Sequence, residues 1–258
     1  LDAGLKDWDI SRDKPYFGFT IPGETDRYFY VWLDAPIGYM ATTQKWCKET
    51  GRSFDEIWKS NTYEIHHFIG KDIMYFHTLF WPAMLTTSGY QLPKKVHVHG
   101  FLTVNGEKMS KSRGTFILAK QFADVIDPIF LRYYIAAKLS SSMTDIDFNS
   151  EDFINRVNAD IINKFANILS RTTAILAKNF ESRCSEPDAA GLSLIEQLQQ
   201  SNEPIAQHYE NLDTHKAVIA IMKHADQINI YFNDNAPWSL VKTDPEAAQK
   251  VCTSTLTA

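Results

Sequence analysis

The chain has 258 residues, of which 44% are hydrophobic and 22% are charged, and its formal net charge is −5. At roughly 100–200 residues per domain, this length predicts one or two domains, and the ordinary composition argues against disorder and against a disulfide scaffold. The three cysteines form no Cys-x-x-Cys pair, which is typical of a reducing compartment. Because neither a signal-peptide pattern nor an apolar run of about 18 residues occurs, we expect a soluble cytoplasmic protein without a membrane partner.

The N-terminal part begins without a clear periodicity. Its first 25 residues are rich in Asp, Gly and Pro and predict a loop anchored by Trp8, Tyr16 and Phe17. The aromatic run at 28–33 predicts a buried strand, and a helix is expected from Asp34, its candidate N-cap, to about residue 48.

Two further strands are predicted at 63–69 and 96–99, with a turn at 70–72 that leads into a helix between them. Alternating strands and helices indicate a parallel sheet, whose ligands bind beyond the carboxyl ends of the strands. The sequence therefore predicts an α/β fold for this part of the chain.

After residue 118 the pattern becomes helical and remains so. Apolar residues from 153 to 172 recur at spacings of three and four, which predicts an amphipathic helix that Ser150 can cap. Further amphipathic helices are predicted at 192–201, 203–211, 214–233 and 244–256. We therefore expect a change from α/β to all-α structure near residues 145–150.

Positive charge is concentrated between residues 94 and 120, where six Lys or Arg residues accompany one acid, Glu107. On an acidic chain, such a segment indicates a specific anionic ligand rather than broad adhesion to nucleic acid. Within it, the loop 105–114 presents lysines and hydroxyls between two glycines, which suits a polyphosphate. On composition alone, a solvated surface loop remains an open alternative.

The string Lys108-Met-Ser-Lys-Ser112 matches the signature of class I aminoacyl-tRNA synthetases, and the whole chain resembles the methionyl-tRNA synthetase family. The resemblance includes YVWLDAPIGYM at 30–40, FIGKDI at 68–73, and shorter strings at 76–77, 99–100 and 235–238. It implies the second half of a Rossmann-type parallel-sheet catalytic domain, followed by an α-helical bundle that binds the anticodon. The expected bounds are 1–104 for the catalytic part, 105–148 for the loop and stem-contact region, and 149–258 for an incomplete anticodon-binding domain.

The resemblance also implies an activity. The full enzyme would activate methionine with ATP, which brings Mg²⁺, to methionyl-adenylate, and would transfer the methionyl group to tRNA(Met). Lys108 and Lys111 would be the catalytic cations that neutralise the departing pyrophosphate. The ATP-binding residues implied by the family's motifs are Gly70, Asp72, His99, Lys108, Ser110 and Lys111. For Asp72, an N-cap role at the turn is the competing interpretation.

The methionine pocket implied by the resemblance consists of Trp32, Pro36, Tyr39, Ile73, Phe76 and His77. A thioether is polarizable, and each contact between sulfur and an aromatic ring is favourable by about 0.3–1.5 kcal/mol. Taken singly, a Trp or Phe on a short apolar element more often fills a core, so the prediction depends on the whole set.

In the helical part, Asn163, Asn167 and Arg171 form a polar stripe that would otherwise predict a solvated face. The resemblance implies that Asn167, Arg171, Pro237 and Trp238 contact the tRNA anticodon. Amides, guanidinium groups and exposed indoles read and stack unpaired bases.

The chain departs from the family's pattern in two places. It contains neither the His-x-Gly-His string with which class I enzymes bind ATP nor the Cys-x-x-Cys of a zinc knuckle. We therefore expect a monomeric part of a longer enzyme, without a metal site and inactive alone. Two alternatives remain open: a tRNA-binding module without catalysis, and a metal-dependent hydrolase built around His97 and His99.

Overall fold

The computed structural model describes residue 4, residues 7–109 and residues 116–258. The chain divides into two compact units, Leu1–His97 and Val98–Ala258. Among the described helices, none combines the length and the apolar character that crossing a membrane requires.

The first unit begins with an antiparallel pair of strands, β1 (Ser11–Asp13) and β2 (Arg27–Phe29). Its helices are α1 (Val31–Asp34), α2 (Ile37–Thr50), α3 (Phe54–Trp58) and α4 (Trp81–Thr87). Strand β3 (His66–Gly70) pairs with β4 (Lys95–His99), and the division between the two units falls within β4, after His97. A 3₁₀ turn (Lys71–Ile73) and a π-helical segment (Phe76–Phe80) connect β3 to α4. The two predicted strands and the helical segment between them are confirmed, although β3 begins three residues later than predicted.

The aromatic run at 28–33 is not a single strand, so that prediction was wrong. Strand β2 ends at Phe29, and α1 follows as a helical turn in which Val31 is 45% exposed. A short apolar run does not distinguish a strand from a helical segment, because neither periodicity is resolved over so few residues. Asp34 is not the N-cap of the next helix; α2 begins at Ile37, with Pro36 in the cap position.

The aromatic anchors expected in the first 25 residues differ in what they contact. Trp8 packs against Phe80 with ring centroids 4.1 Å apart, and the hydroxyl of Tyr16 accepts a hydrogen bond from the Val31 amide. The prediction was wrong for Phe17, whose side chain is fully exposed. The buried core of this unit consists of Trp58, Phe76, Trp81 and Leu85.

The second unit opens with β5 (Leu102–Val104) and β6 (Glu107–Lys108), which pair antiparallel, and β5 also pairs in parallel with β7 (Ile146–Phe148). Helices α5 (Ala119–Ala123) and α6 (Pro128–Ala136) lie between β6 and β7 in the sequence. Because β7 interrupts the helices, the expectation of unbroken helical structure after residue 118 was wrong. The change to all-α structure near 145–150 is confirmed.

The rest of the second unit is helical. Its elements are α7 (Ser150–Arg156), a π-helical segment (Val157–Ala166), α8 (Asn167–Asn179), α9 (Ala189–Gln199), α10 (Asn202–Glu210), α11 (Thr214–Asn235), α12 (Pro237–Thr243) and α13 (Pro245–Thr257). The predicted amphipathic helices are confirmed, whereas the short α12 was missed. The cap of α7 is Asn149 rather than Ser150, because the extended Asn149 accepts a hydrogen bond from the Asp152 amide at 2.9 Å while Ser150 is already helical.

Candidate functional site

A cavity of about 190 Å³ lies in the first unit, and we call it the aromatic cavity. It is lined by Trp32, Ala35, Pro36, Tyr39, Ile73, Phe76 and His77. The structure thus brings together all six residues predicted for the methionine pocket and adds Ala35, which the sequence interpretation missed. Its volume is below the range of about 300–1,000 Å³ that is usual for drug-sized ligands, so it suits a small molecule.

Three short elements position this lining. Trp32 lies on α1, Tyr39 lies on α2, and the consecutive residues Phe76 and His77 lie on the π-helical segment. The indole of Trp32 meets the ring of Phe76 edge to face, with centroids 5.8 Å apart. Phe76 and His77 are both buried, whereas Trp32 and Tyr39 are half-exposed. None of the lining residues is an acid, a lysine or an arginine, so the cavity favours an uncharged group.

The polar groups of the aromatic cavity bond to one another. Nδ1 of His77 lies 3.1 Å from the carbonyl oxygen of Ile73, and Nε2 lies 3.0 Å from the hydroxyl of Tyr39. A carbonyl oxygen can only accept, so Nδ1 carries the proton, and in a neutral imidazole Nε2 then accepts from the Tyr39 hydroxyl. The Tyr39 oxygen is thereby held at the cavity with its proton directed toward His77.

A second histidine, His67, packs against two lining residues of the cavity, Tyr39 and His77, and was not predicted from the sequence. The indole Nε1–H of Trp81 donates to its Nε2 at 3.1 Å, and its ring lies 4.8 Å from that of Tyr39 and 5.5 Å from that of His77. Burial, with a smaller contribution from His77, lowers the pKa of His67 to about 4. The alternation along β3, in which His67 and Ile69 are buried, is the signal that could have identified it.

The residues predicted for ATP binding are distributed over the chain. Gly70 and Asp72 lie in the first unit, at the turn after β3, where a Cβ on Gly70 would stand 2.7 Å from Asp72 Oδ1. Glycine therefore leaves room for this carboxylate, and the 3₁₀ turn carries no side-chain cap, so the N-cap role considered for Asp72 is not observed.

His99 and Lys108 belong to the second unit. The Nδ1 atom of His99 lies 2.8 Å from the carbonyl oxygen of Gly100, and the ammonium group of Lys108 lies 5.6 Å from the ring centroid of Phe101. Ser110 and Lys111, which were predicted to meet the phosphates, lie outside the described residues.

The pair considered for a metal site has other contacts. His97 Nε2 lies 3.1 Å from His66 Nδ1, and the His97 ring stacks on Phe68 with centroids 4.5 Å apart. Burial and the neighbouring Lys95 lower the pKa of His97. In the part of the chain that the structure describes, no three His, Cys, Asp or Glu residues are grouped so that they could hold a metal ion.

In the second unit, four side chains form a cluster that we call the Arg171 patch: Arg171, Asn233 and Trp238, with the buried Phe232 against them. The guanidinium of Arg171 lies 4.8 Å from the ring centroid of Phe232 and 5.1 Å from that of Trp238, and it donates to Asn233 Oδ1 at 3.1 Å. The structure thus brings together Arg171 and Trp238, as predicted, whereas Phe232 and Asn233 were missed.

The remaining residues predicted for the anticodon contact have different environments. Pro237 is fully buried and begins α12 directly after Ala236, which takes a left-handed conformation with φ 39°. This turn places Trp238 with 43% of its surface exposed. Asn167 is half-buried, one helical turn before Arg171 on α8.

Two family models match the chain. The model described as tRNA synthetases class I (M) matches residues 1–173, and the model described as the anticodon binding domain of methionyl tRNA ligase matches residues 183–257.

Curated relatives match along the whole chain. The methionine–tRNA ligase of Bdellovibrio bacteriovorus is 52% identical over 257 residues, which are 99% of this chain and 37% of the relative. The methionine–tRNA ligase of Leptospira interrogans is 50% identical, over all of this chain and 38% of the relative. The chain therefore spans little more than a third of the length of these relatives.

Solved structures match as well. The crystal structure of Mycobacterium tuberculosis methionyl-tRNA synthetase bound by methionyl-adenylate matches with a TM-score of 0.82 and 30% identity, over 99% of this chain and 50% of that one. The apo form of the same enzyme matches with a TM-score of 0.78 and 28% identity, over 99% of this chain and 49% of that one. These likenesses confirm the predicted combination of a Rossmann-type part and a helical anticodon-binding part.

Proposed function

The chain belongs to the methionyl-tRNA synthetases of class I, and on that premise we propose that it carries the methionine pocket, part of the ATP site and the anticodon contacts of a methionine–tRNA ligase. The complete ligase would contain, besides this chain, the His-x-Gly-His element that binds ATP. It would act in the cytoplasm, and the 258-residue chain would be a monomer.

The aromatic cavity is the observation that carries the proposal. Its uncharged lining accepts an apolar side chain, and the rings of Trp32 and Phe76 offer faces and edges to a polarizable sulfur. The Tyr39 hydroxyl, held by His77, supplies the polar contact that orients such a ligand. Methionine satisfies both requirements, because its thioether can meet the rings and its ammonium group can donate to the Tyr39 oxygen, whose own proton is directed toward His77.

In the proposed reaction the methionine carboxylate attacks the α-phosphorus of ATP, and pyrophosphate leaves. Because the protein forms no covalent bond to the reactants in this step, it acts by holding them in line and by stabilising phosphate charge. Lys108 and Lys111 would neutralise the pyrophosphate. Gly70, Asp72, His99 and Ser110 would contact the nucleotide, which enters with Mg²⁺.

Transfer then requires tRNA(Met). The Arg171 patch suits an unpaired base, because an exposed indole offers a stacking face and the amide of Asn167 lies one helical turn away. Pro237 would contribute by fixing the turn that presents Trp238.

The test compares two tryptophans of the first unit with similar exposure. Trp32 lines the aromatic cavity and is 37% exposed, whereas Trp46 lies outside it and is 43% exposed. In the complete ligase, Trp32→Ala is expected to raise the methionine KM of ATP–pyrophosphate exchange by about 2- to 10-fold. Trp46→Ala should leave it unchanged, and equal effects of the two substitutions would refute the pocket.

A second candidate, a tRNA-binding module without catalysis, is favoured by the Arg171 patch. Both candidate functions predict tRNA binding. Both also predict no ATP–pyrophosphate exchange by the 258-residue chain, because it contains no His-x-Gly-His. The two candidate functions predict different activities for the protein encoded by the complete reading frame. Binding of tRNA(Met) without any methionine-dependent exchange by that product would decide for the module.

A further inference from the structure

The segment that leads to Lys108 is a tight hairpin in the second unit. Val104 pairs with Glu107, so Asn105 and Gly106 form a two-residue turn, with φ of 50° and 78°. Positive φ at both positions is the requirement of a type I′ turn, which Asn-Gly satisfies with little strain. Because β6 is only two residues long, its own ladder gives the hairpin little rigidity.

Side chains at the end of β7 hold this turn. Asp147 Oδ1 accepts hydrogen bonds from the Gly106 amide and from the Thr103 hydroxyl, both at 2.7 Å. The side-chain amide of Asn149 donates from Nδ2 to Asn105 Oδ1 at 2.9 Å. Both sides of the turn and the strand before it are therefore tied to β7.

The end of β7 is itself anchored to the core. Lys138 donates to the carbonyl oxygen of Asp147 at 3.0 Å and forms an ion pair with Asp152 at 2.5 Å. Tyr134, which is fully buried, donates its hydroxyl proton to Asp152 at 2.7 Å. Asp147 thus connects the anchored end of β7 to a hairpin whose own hydrogen-bonded ladder is short. The bonds from Gly106 and Thr103 also lower the pKa of Asp147, which keeps it an ionised acceptor near neutral pH.

We propose that Asp147 is a positioning residue for adenylate formation: its carboxylate fixes the Asn105–Gly106 turn and thereby the point from which Lys108 reaches the phosphates. This inference rests on the proposed function, in which Lys108 acts on pyrophosphate. Asp147 touches no reactant in this scheme and acts through the hairpin.

Kinetics of the complete ligase provide the first test. Asp147→Ala is expected to lower kcat of ATP–pyrophosphate exchange by about 10- to 100-fold, because displacing a catalytic group by about 1 Å has effects of this size. The methionine KM should change less than about twofold, since the hairpin does not line the aromatic cavity. Asp147→Asn retains the Oδ1 acceptor and should recover most of the lost kcat.

The matched control is Asp213, whose Oδ1 accepts from the amide and the hydroxyl of Ser141 at 3.1 and 2.8 Å, in the same pattern but away from the hairpin. Asp213→Ala should leave kcat within about twofold. If Asp147→Ala does not fold, Thr103→Val removes the Thr103 bond to Asp147, and Asn149→Ala removes the bond to Asn105 together with the cap of α7. Both should lower kcat by smaller factors. An unchanged kcat in both would overturn the proposal.

Hydrogen exchange of the Gly106 amide separates failure of the inference from failure of the proposed function. This amide should exchange faster in Asp147→Ala than in the unsubstituted protein and stay protected in Asp147→Asn, whatever the enzyme catalyses. If the complete, unsubstituted protein shows no methionine-dependent ATP–pyrophosphate exchange, the proposed function is refuted. Loss of Gly106 protection with unchanged kcat, or retained protection in Asp147→Ala, would refute the role of Asp147.

Discussion

The aromatic cavity of the first unit and the Arg171 patch of the second use buried aromatic rings in different ways. In the cavity, the buried rings of Phe76 and His77 line the site themselves, beside the half-exposed Trp32 and Tyr39. In the patch, the buried ring of Phe232 lies beneath Trp238, which is 43% exposed. A small ligand gains contact area only when it is surrounded, so its site must draw on the core. A nucleic-acid base needs one free ring face, so an exposed indole is sufficient.

This difference determines whether binding and stability can be separated. Phe76 lines the aromatic cavity and also belongs to the core cluster with Trp58, Trp81 and Leu85. In the patch, the buried Pro237 and Phe232 provide the support and Trp238 projects from it. Substitutions of the buried cavity residues should therefore affect folding as well as binding, whereas substitutions of exposed patch residues should affect binding alone.

The largest expected effect is on the stability of the first unit. Phe76→Ala should lower the free energy of unfolding by about 3–5 kcal/mol, the usual range for deleting a buried Phe. Urea unfolding measures this value. Phe17→Ala is the control, because Phe17 is fully exposed and its removal should change stability little. Similar values for the two variants would show that the cavity lining is not part of the core.

A second prediction concerns pH and His67. Its pKa is about 4 in the folded protein and 6.5 in an unperturbed state, so between these pH values the unfolded chain binds more protons. Stability should therefore fall as the pH is lowered from 6.5 to 4, by up to about 3 kcal/mol from this group. Unfolding curves at pH 7 and pH 4.5 test this, and His67→Gln should show a smaller pH dependence. An equal dependence in the variant would exclude His67 as the cause.

In the patch, Trp238→Ala should weaken binding of tRNA(Met) by roughly 5- to 150-fold, because stacking of a base on an aromatic ring is worth about 1–3 kcal/mol. Methionine-dependent exchange in the complete ligase should stay near its unsubstituted value, since adenylate formation needs no tRNA. Leu192→Ala, which removes another half-exposed apolar side chain of this unit, is the control. A lower melting temperature with unchanged affinity per folded molecule would mean that Trp238 serves packing.

The smallest effect is expected for Arg171→Lys. Lysine keeps the charge but loses the planar group that lies against Phe232 and Trp238. At about 0.5–1 kcal/mol for an exposed contact of this kind, tRNA affinity should fall by about two- to fivefold. Titrations at two salt concentrations should give the same slope for both proteins, and a changed slope would show that Arg171 acts through its charge.

The two regions also differ in how far the sequence predicts them. The six cavity residues lie in two strings about 40 positions apart, and their resemblance to a family placed them at one site, where the structure has them together. His67 was missed because a histidine on a short strand carries no sign of the indole 14 positions later that donates to it. Phe232 and Asn233 were missed for the same reason, since their contacts to Arg171 join α11 to α8.

Local structure was predictable where a periodicity is long enough to be resolved. The helices from α9 to α11 and α13 follow from the 3.6-residue spacing, whereas the run at 28–33 is too short and was misassigned. By itself the sequence determined the family, the long amphipathic helices of the second unit and the residue types available at each site. The tertiary structure alone decided which polar groups contact one another. These contacts set the tautomer of His77, the neutral state of His67 and the hydrogen bond from the Gly106 amide to Asp147. The last two depend on distances between groups that are remote in sequence, and no local pattern contains such distances.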